Sequence, residues 1–462
     1  MTKRQRTLLF YALTALFLLL APAFALYSQG YRVNVTERRI TQTGAFFFKV
    51  DPRQADIAVA GELKKRTDFF FGSTLIKNFF AKNYEVEITK EGYRPWRKTL
   101  PIVEQNVTEA KFITLFKNDI GFTQLAQNVE RVWMAPSRQA ALVLQETDAS
   151  WKLLLFNLAT GTSTLQLEPQ RPGETIVSIQ WSSNSGRFLV LRRAEGLTLA
   201  DVHGIGVNDP CSETACSLSY LGAISDIRFS PVSTDIMLFL KAKETSQIAV
   251  QASYITKEPF EILASNVIAY DTTGSTLVWL GGKGTLWQRE LSGNSQASLF
   301  QESAFQPKSR SSYALIAIDN IVLVKEDATL FYHEKGAPER TELLSPVTTI
   351  VLDPRREKVA LANDSELWVL FLKEDREQPK RRASELILLT RFSETIQNLS
   401  WLNPHYLLFS LGGTIQAAEI DNRDKINTAV LGTFTFPTVF SKNNILYVQS
   451  QGTLSASNDI VR

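Results

Sequence analysis

The residue types that most often carry catalysis or bind metals are scarce in this chain of 462 residues. It contains three histidines, His203, His333 and His405, and two cysteines, Cys211 and Cys216. Imidazole and thiolate groups are common zinc ligands, and imidazole is the most frequent general acid or base. Because so few of these groups are present, we expect no catalytic residues, no cofactor and no metal site, and hence no enzyme.

Two glycine-rich segments resemble nucleotide-binding loops only in outline. Residues 281–285 read Gly-Gly-Lys-Gly-Thr, whereas a phosphate-binding loop needs Lys followed directly by Ser or Thr, between a strand and a helix. Residues 203–206, His-Gly-Ile-Gly, lack the third glycine and the helix of a dinucleotide-binding loop. The first segment is therefore predicted to be a β-turn, and the second is not a dinucleotide-binding loop. The sequence also has no His-Glu-x-x-His and no Gly-x-Ser-x-Gly motif.

The charge balance argues against nucleic acid as a partner. The chain has 50 basic and 47 acidic residues, a net charge of +3, whereas nucleic-acid binding usually needs a marked basic excess on one face. Two short basic clusters, at 64–66 and 380–382, are interpreted as solvated loop charge. Contact with anionic lipid or wall polymer is the alternative for these clusters.

The N-terminus combines a short basic tail with an apolar run over residues 7–25. This length just suits a transmembrane helix, which needs roughly 17–25 apolar residues. The small residues Ala23 and Ala25 also permit a signal peptide cleaved after Ala25, which would release a secreted protein. Because the run exceeds a typical signal core, we favour an uncleaved, single-pass signal anchor over residues 1–29. Both interpretations place the rest of the chain outside the cytoplasm.

An exported chain would fold in an oxidising compartment, where disulfides persist. Cys211 and Cys216 are separated by four residues, and a short-loop disulfide between them is one prediction. Two free thiols in a surface loop are the alternative, because this spacing is too common to decide between them.

A small β-domain is predicted over residues 44–117, after a linker at 30–43. Residues 84–89 alternate polar and apolar side chains, which is typical of a half-buried strand. Further strand patterns occupy residues 44–50 and 107–116, with turn residues between the strands. About 75 residues of antiparallel strands suit a small sandwich.

An ordered set of turn and aromatic residues runs through this domain. It comprises Gly44, the tetrapeptide Pro-Arg-Gln-Ala at 52–55, a strand ending in Gly61, and Gly-Tyr-Arg-Pro-Trp at 92–96. The set resembles the PEGA domain, a small β-sandwich of bacterial and archaeal surface proteins. The resemblance implies a surface or adhesive module and not a catalyst. A generic sandwich that acts as a spacer is the alternative.

Two positions depart from the PEGA pattern. Asn83 precedes Tyr84 where the family has Gly, and Gln54 replaces the Gly of the name-giving tetrapeptide. Asn tolerates a left-handed backbone well, so the first change is mild, whereas Gln is a poorer substitute for Gly.

Five phenylalanines in this domain are candidates for an interface: Phe69, Phe70, Phe71, Phe79 and Phe80. The favoured interpretation places them in the core of the sandwich. The alternative is an exposed aromatic patch at the membrane surface or at a partner interface.

The region from residue 118 to residue 462 repeats one pattern of short strands. Trp181, Phe229, Leu352 and Trp401 hold equivalent places, with separations of 48, 123 and 49 residues. A period of about 40–50 residues with several strands per unit indicates the blades of a β-propeller. We count eight copies, or seven if one weak copy is wrongly split. The repeats resemble WD40-like and TolB-like propellers, without the Gly-His and Trp-Asp signatures of true WD40 blades.

Ring closure is predicted from the two ends of this region. The segment 121–125 precedes the first copy without a blade of its own, and the last copy, 438–460, shows only about three strands. We therefore expect the early strand to complete the last blade, which hides exposed strand edges.

The whole order, an anchor, a PEGA-like module and a propeller, resembles PEGA-domain proteins of bacterial envelopes. It predicts a membrane-anchored, extracytoplasmic binding or scaffold protein whose propeller recognises a protein or a cell-wall glycan. A propeller-fold enzyme acting on envelope polysaccharide is one alternative, and it needs carboxylates converging on the axis. Asp226, Asp271 and Asp353 are the acids considered for this role, although we expect each to cap a turn. A purely structural spacer is the other alternative.

Overall fold

The computed structural model describes residues 3–34, 38–147, 150–206, 209–212, 214–222, 224–243, 246–257, 260–293, 295–301, 306–337 and 340–462. The chain begins with helix α1, Lys3–Ser28, which continues through Pro22. Within Arg4–Ser28, an 18-residue window has a mean hydropathy of 2.2, and none of this window is buried by the rest of the chain. A helix of this length and composition can cross a membrane or act as a signal sequence.

The predicted linker contains a short hairpin. Strands β1 (Tyr31–Asn34) and β2 (Arg39–Gln42) pair antiparallel, and residues 35–37 between them lie outside the described part. The hairpin lies between α1 and the small domain, and Thr43 N donates to Gly30 O at 3.0 Å where its two ends meet.

The small domain is a sandwich of two sheets, with strand orders β6-β3-β9 and β5-β4-β7-β8. Its strands are β3 (Gly44–Asp51), β4 (Asp56–Val59), β5 (Glu62–Arg66), β6 (Ser73–Phe79), β7 (Asn83–Thr89), β8 (Trp96–Pro101) and β9 (Val107–Thr114). Alternate residues of both sheets, including Phe46, Phe48, Ile57 and Val86, are fully buried between them. The prediction of purely antiparallel strands is wrong, because β9 pairs with β3 in parallel.

The two departures from the PEGA pattern have different outcomes. Gln54 adopts a positive φ of 58°, so a non-glycine residue holds the left-handed turn at this position. Asn83 is the first residue of β7 and does not have a positive φ. The replacement of Gly by Asn at this position therefore needs no left-handed backbone.

Within the described residues, the remaining strands form eight four-stranded antiparallel sheets, the blades of a β-propeller. Blades 1 to 4 are β11–β14, β15–β18, β19–β22 and β23–β26; their strands are β11 (Val129–Met134), β12 (Ala140–Thr147), β13 (Ser150–Asn157), β14 (Ser163–Leu167), β15 (Thr175–Trp181), β16 (Arg187–Ala194), β17 (Leu197–Gly204), β18 (Cys216–Ser217), β19 (Ile224–Phe229), β20 (Ile236–Lys243), β21 (Ser246–Ser253), β22 (Glu261–Ser265), β23 (Val267–Thr273), β24 (Thr276–Gly281), β25 (Leu286–Glu290) and β26 (Ser298–Gln301).

Blades 5 to 7 are β27–β30, β31–β34 and β35–β38, and blade 8 combines β39–β41 with β10. Their strands are β10 (Phe122–Gln127), β27 (Tyr313–Ile318), β28 (Ile321–Glu326), β29 (Thr329–Glu334), β30 (Thr341–Leu344), β31 (Thr349–Leu352), β32 (Lys358–Ala362), β33 (Glu366–Phe371), β34 (Leu386–Arg391), β35 (Ile396–Asn403), β36 (Tyr406–Leu411), β37 (Thr414–Glu419), β38 (Thr428–Thr433), β39 (Thr438–Lys442), β40 (Ile445–Ser450) and β41 (Thr453–Ser457). The count of eight copies is confirmed.

The ring closes as predicted. Strand β10 pairs antiparallel with β41, with Phe122 opposite Ser457, and forms the outer edge of blade 8. A strand from before the first blade thus completes the last blade and covers the edge of β41.

The repeated tryptophans join neighbouring blades. Trp181 Nε1 donates to the Trp133 carbonyl at 3.0 Å, and Trp401 Nε1 donates to the Val351 carbonyl at 3.0 Å. In each case an indole on the first strand of one blade reaches the first strand of the blade before it. The spacing of the tryptophans therefore reflects contacts between blades.

Candidate functional site

The sandwich is attached to the propeller through a buried ion pair. Lys98, on β8, places Nζ 2.5 Å from Oε1 of Glu419, at the end of β37, and the two side chains are only 0% and 5% exposed. Glu419 Oε2 also accepts a 2.8 Å hydrogen bond from Trp96 Nε1. Trp96 and Lys98 share a face of β8 because alternate residues of a strand point the same way. Because these two residues alternate on β8, their side-chain nitrogens both reach the carboxylate of Glu419 on the propeller.

The free edge of β9 is covered by the propeller as well. The side-chain amide of Gln378 accepts from Glu109 N at 3.0 Å and donates to Val107 O at 2.9 Å, as a neighbouring strand would. Thr114 N donates to the Tyr406 hydroxyl at 3.0 Å. These contacts fix the two domains against each other along the length of β9.

An aromatic pair continues this interface. The ring of Phe112, on β9, stacks on His405 of the turn between β35 and β36, with centroids 3.5 Å apart and planes 5° apart. Burial, together with the charges of Lys358 and Arg355, lowers the pKa of His405 to about 3. His405 is therefore neutral at physiological pH, and the contact is apolar.

An open cleft of about 440 Å³ lies beside this pair, between the sandwich and the propeller; we call it the interdomain cleft. A cavity of about 50 Å³ adjoins it beneath Phe112 and His405. The cleft is lined by Lys49, Val50, Asp51, Arg53, Phe70, Phe71, Lys111, Phe112, Ile113, Thr114, Asn403, Pro404, His405 and Arg462. Its size is within the range of ligand-binding pockets, roughly 300–1,000 Å³.

One side of the cleft is formed by residues 68–73, the aromatic loop between β5 and β6. Phe69, Phe70 and Phe71 are 63%, 71% and 74% exposed. The Asp68 carboxylate accepts hydrogen bonds from the backbone N–H groups of Phe70, Phe71 and Ser73 at 2.9, 2.6 and 2.7 Å. These bonds lower the pKa of Asp68 to about 2, and the bond from Phe71 makes the largest contribution. The loop therefore has a fixed backbone that holds three phenylalanines in solvent.

Gly72 closes the aromatic loop against β3. It has a φ of +66°, and a Cβ at this position would lie 2.5 Å from the Val50 carbonyl oxygen. Only glycine satisfies both conditions without a shift of the backbone. The loop is therefore built by Asp68 at one end and Gly72 at the other.

The five predicted interface phenylalanines separate into two groups. Phe79 is buried in the sandwich core, as the favoured interpretation expected, and Phe80 follows β6 half-buried. The core interpretation is wrong for Phe69, Phe70 and Phe71, because the capped loop points them outward. Sequence reasoning also missed the side chains across the cleft, since they come from distant parts of the chain. The flanking Asp and Gly were the one local signal of a turn.

The aromatic loop lies at the far end of the sandwich from α1. Arg32 Nη2, just after the helix, donates to Asn78 Oδ1 at the end of β6, whereas the loop precedes the start of β6. The seven residues of β6 span roughly 20 Å at about 3.3 Å per residue. This position favours the interpretation of the loop as a partner interface over contact with a membrane that holds α1.

Cys211 and Cys216 form a disulfide in the segment that leads to β18 of blade 2. Cys211 is buried, and the bond ties this segment to the outer part of the blade. The disulfide belongs to blade 2 and does not line the interdomain cleft. The compartment in which it forms stays a prediction.

The acids considered for a catalytic role have other contacts. Asp353 accepts backbone N–H bonds from Glu357 and Lys358 at 2.6 and 2.7 Å, so it caps a turn as expected. Asp226 and Asp271 do not cap turns in this way. Arg228 bridges them, with nitrogen–oxygen distances of 2.6 and 2.9 Å, and so links blade 3 to blade 4.

The first glycine-rich segment forms a turn, as predicted, because residues 282–285 connect β24 to β25. In the second segment, His203 and Gly204 are the last residues of strand β17, and residues 205 and 206 follow it. Among the described residues, no group of three or more His, Cys, Asp or Glu side chains is placed to hold a metal ion.

The eight sheets and the N-terminal apolar helix define the class: a mainly β protein with a β-propeller. No protein-family model and no curated protein sequence matches the chain. Among solved structures, it is similar to the Dos1 propeller, with a TM-score of 0.46 and 9% identity over 73% of this chain and 94% of that chain. It is also similar to Saccharomyces cerevisiae Sqt1, with a TM-score of 0.44 and 11% identity over 74% and 98% of the two chains.

A third similar structure is the computationally designed Ika8 protein, with a TM-score of 0.45 and 18% identity over 71% of this chain and 96% of that chain. Identities this low concern the fold alone. The assignment of the propeller therefore rests on the eight closed sheets themselves.

Proposed function

We propose that this chain is a membrane-anchored, extracytoplasmic binding or scaffold protein with no catalytic activity of its own. The observation that carries the proposal is the aromatic loop. Three consecutive phenylalanines are held in solvent by the Asp68 cap at the edge of the interdomain cleft. Exposed apolar patches on folded proteins usually mark binding sites, because exposure of such side chains is unfavourable.

The interface between the domains supports a single recognition surface. The buried Lys98–Glu419 pair and the Gln378 contacts to β9 hold the sandwich at one position on blades 6 and 7. The sandwich, which resembles a PEGA domain in its turn residues, would thus act together with the propeller. The anchor α1 would attach this combined body to the cell membrane.

Fractionation of full-length chain from a bacterial host tests the localisation. Protease is added to intact cells, and the mass of the protein is measured without reduction. We expect the membrane fraction to hold a chain that retains residues 1–25, an accessible body and an intact Cys211–Cys216 bond. Protection of the body inside intact cells would contradict an extracytoplasmic location, and loss of residues 1–25 would indicate secretion.

An enzyme acting on envelope polysaccharide is the second candidate function, and one observation favours it. Burial raises the pKa of Asp271, and a raised carboxyl pKa is typical of a general acid in glycoside hydrolysis. The test is release of reducing sugar from envelope polysaccharide by the purified chain and by Asp271→Asn. Activity that this substitution abolishes, in a variant with unchanged unfolding, would replace the binding proposal.

A further inference from the structure

The interdomain cleft has an uneven distribution of charge. Four cationic side chains line it against a single carboxylate, Asp51. Two of the four have acidic partners: Lys111 Nζ lies 2.7 Å from Glu377, and Arg462 Nη2 lies 3.1 Å from Asp51. The whole chain is almost balanced in charge, so this local excess is a property of the cleft.

The other two cations, Lys49 and Arg53, form no ion pair with any residue that the structure describes. Arg53 lies over the aromatic loop, with Nη1 3.5 Å from the Phe69 carbonyl oxygen. Lys49 is exposed on β3, the strand against which Gly72 closes the loop. Two uncompensated cations thus stand beside the exposed rings of Phe70 and Phe71.

The floor of the cleft is aromatic and uncharged. Phe112 stacks on His405, whose lowered pKa keeps the imidazole neutral. A ligand that fits this surface needs anionic groups for Lys49 and Arg53 and a large apolar group for the rings. Arginine suits carboxylates because its planar guanidinium donates two parallel hydrogen bonds.

Peptide chemistry matches these requirements better than glycan or lipid chemistry. Asn403 is the one side-chain amide in the lining, so the cleft offers few neutral polar groups for sugar hydroxyls. The cleft also lies at the end of β3 and β6 that is remote from α1, away from a lipid surface that holds the helix. An acidic peptide with an aromatic side chain supplies both required groups in one extended segment.

We propose that the interdomain cleft binds an extended acidic segment of a partner protein, with an aromatic side chain of that segment packed against Phe70 and Phe71. Carboxylates of the segment pair with Lys49 and Arg53. The inference rests on the proposed binding function and adds the chemistry of the partner. It does not depend on which side of the membrane the body of the chain lies.

The test uses the purified full chain in detergent and three fluorescently labelled nine-residue peptides. The first alternates Glu and Phe, the second replaces Phe by Ala, and the third replaces Glu by Lys. Fluorescence anisotropy should show that the first peptide binds most tightly, with the other two at least about tenfold weaker. Binding should weaken between about 0.1 and 0.5 M salt, because carboxylate pairs with exposed cations are screened.

Paired variants assign the binding to the cleft. Lys49→Ala combined with Arg53→Ala, and Phe70→Ser combined with Phe71→Ser, should each weaken the first peptide about tenfold. The matched controls are Lys77→Ala, an exposed cation of β6 outside the cleft, and Phe436→Ser, an 80% exposed ring on the propeller. Neither control should change the affinity, and unfolding midpoints of all variants should match the parent.

Three results would overturn the proposal. The first is equal binding of all three peptides, and the second is binding that the cleft variants leave unchanged. The third is tighter, cleft-dependent binding of oligogalacturonate or of phosphatidylglycerol in mixed micelles than of the first peptide. A failure of peptide binding leaves the protease and fractionation results unaffected, so it is distinguishable from a failure of the proposed localisation.

Discussion

Lys98 is a fully buried charged residue on a strand whose neighbours on the same face, Trp96 and Leu100, belong to the sandwich core. Its ammonium group contacts Glu419 and also donates to the Asp421 carbonyl at 2.5 Å. A buried ion pair contributes little beyond its desolvation cost, but loss of one partner leaves the other charge buried and uncompensated. The pair therefore gives the two domains one specific relative position.

Substitution of Lys98 tests this role. Lys98→Met should lower the free energy of unfolding by about 3–5 kcal/mol, because Glu419 keeps its charge without a cation. Urea unfolding of the full chain, followed by tryptophan fluorescence, measures the change. Arg97→Met is the control, since Arg97 is an exposed neighbour that pairs with Glu87 and should cost less than about 1 kcal/mol. Equal midpoints for Lys98→Met and the parent chain would contradict a structural role for the pair.

The order of the aromatic loop should decrease at low pH because of Asp68. Its pKa is lowered from 3.8 to about 2, so the carboxylate binds its proton less readily in the folded loop than in a free chain. Its contribution to loop order is therefore complete above about pH 4 and is lost as the pH falls through the folded value. The backbone amide signals of Phe70 and Phe71 in NMR spectra should titrate with a midpoint near 2. A midpoint near 3.8 would show that the cap is absent, and Asp68→Asn should remove the titration.

At the scale of elements, the repeat predicted the blades well. Trp181 and Trp401 recur because each must reach a carbonyl of the preceding blade, so the spacing in sequence records a contact in space. The parallel pairing of β9 with β3 left no such local signal, since it depends on which distant strands meet. The same limit applied to the cleft, whose two sides come from segments hundreds of residues apart.

The prediction that the phenylalanines of the aromatic loop are buried in the core is wrong because of the local backbone. Three consecutive phenylalanines suggest burial on composition alone, because large apolar side chains are usually inside. Their exposure follows from turn chemistry: Asp68 accepts hydrogen bonds from three backbone amides, and Gly72 lies where a Cβ would clash with the Val50 carbonyl oxygen. A turn of this kind cannot place three adjacent side chains in one core.

Substitution of Trp401 tests the hydrogen bond between blades 6 and 7. Trp401→Phe keeps the ring on β35 but removes the donor to the Val351 carbonyl, which should cost about 1–3 kcal/mol of unfolding free energy. Chemical denaturation measures this loss of unfolding free energy. Trp287→Phe is the matched control, because within the described part of the chain the Trp287 indole donates no hydrogen bond. Equal losses in the two variants would show that ring volume, and not the hydrogen bond, determines the cost.

At the scale of the whole molecule, the chain places its features in a definite order. Helix α1 adjoins one end of β3 and β6, and the aromatic loop and the interdomain cleft adjoin the other end. The sandwich therefore separates the helix from the interdomain cleft by the length of a strand. If α1 anchors the chain, the cleft is held away from the membrane, where a partner protein can reach it.

The contact between the domains should depend on pH through His405. Its pKa is lowered to about 3, from an ordinary value of 6.5, so protonation favours any state in which the ring is freed from Phe112. Above about pH 6.5 both states are neutral and docking is unaffected. As the pH falls from 6.5 towards 3, the undocked state gains protons first, and docking weakens; below 3 the dependence levels off.

Energy transfer between dyes on the sandwich and the propeller measures this docking directly. We expect the transfer efficiency to decline, or the susceptibility of the connection to protease to rise, as the pH is lowered from 7 to about 4. His405→Phe keeps a ring for the stack and removes the titrating group, so its profile should be flatter over the same range. An unchanged slope in His405→Phe would assign the effect to other groups at the interface, such as the carboxylates that pair with Lys98 and Lys111. The comparison therefore separates the contribution of the imidazole from that of the ion pairs that hold the same two domains.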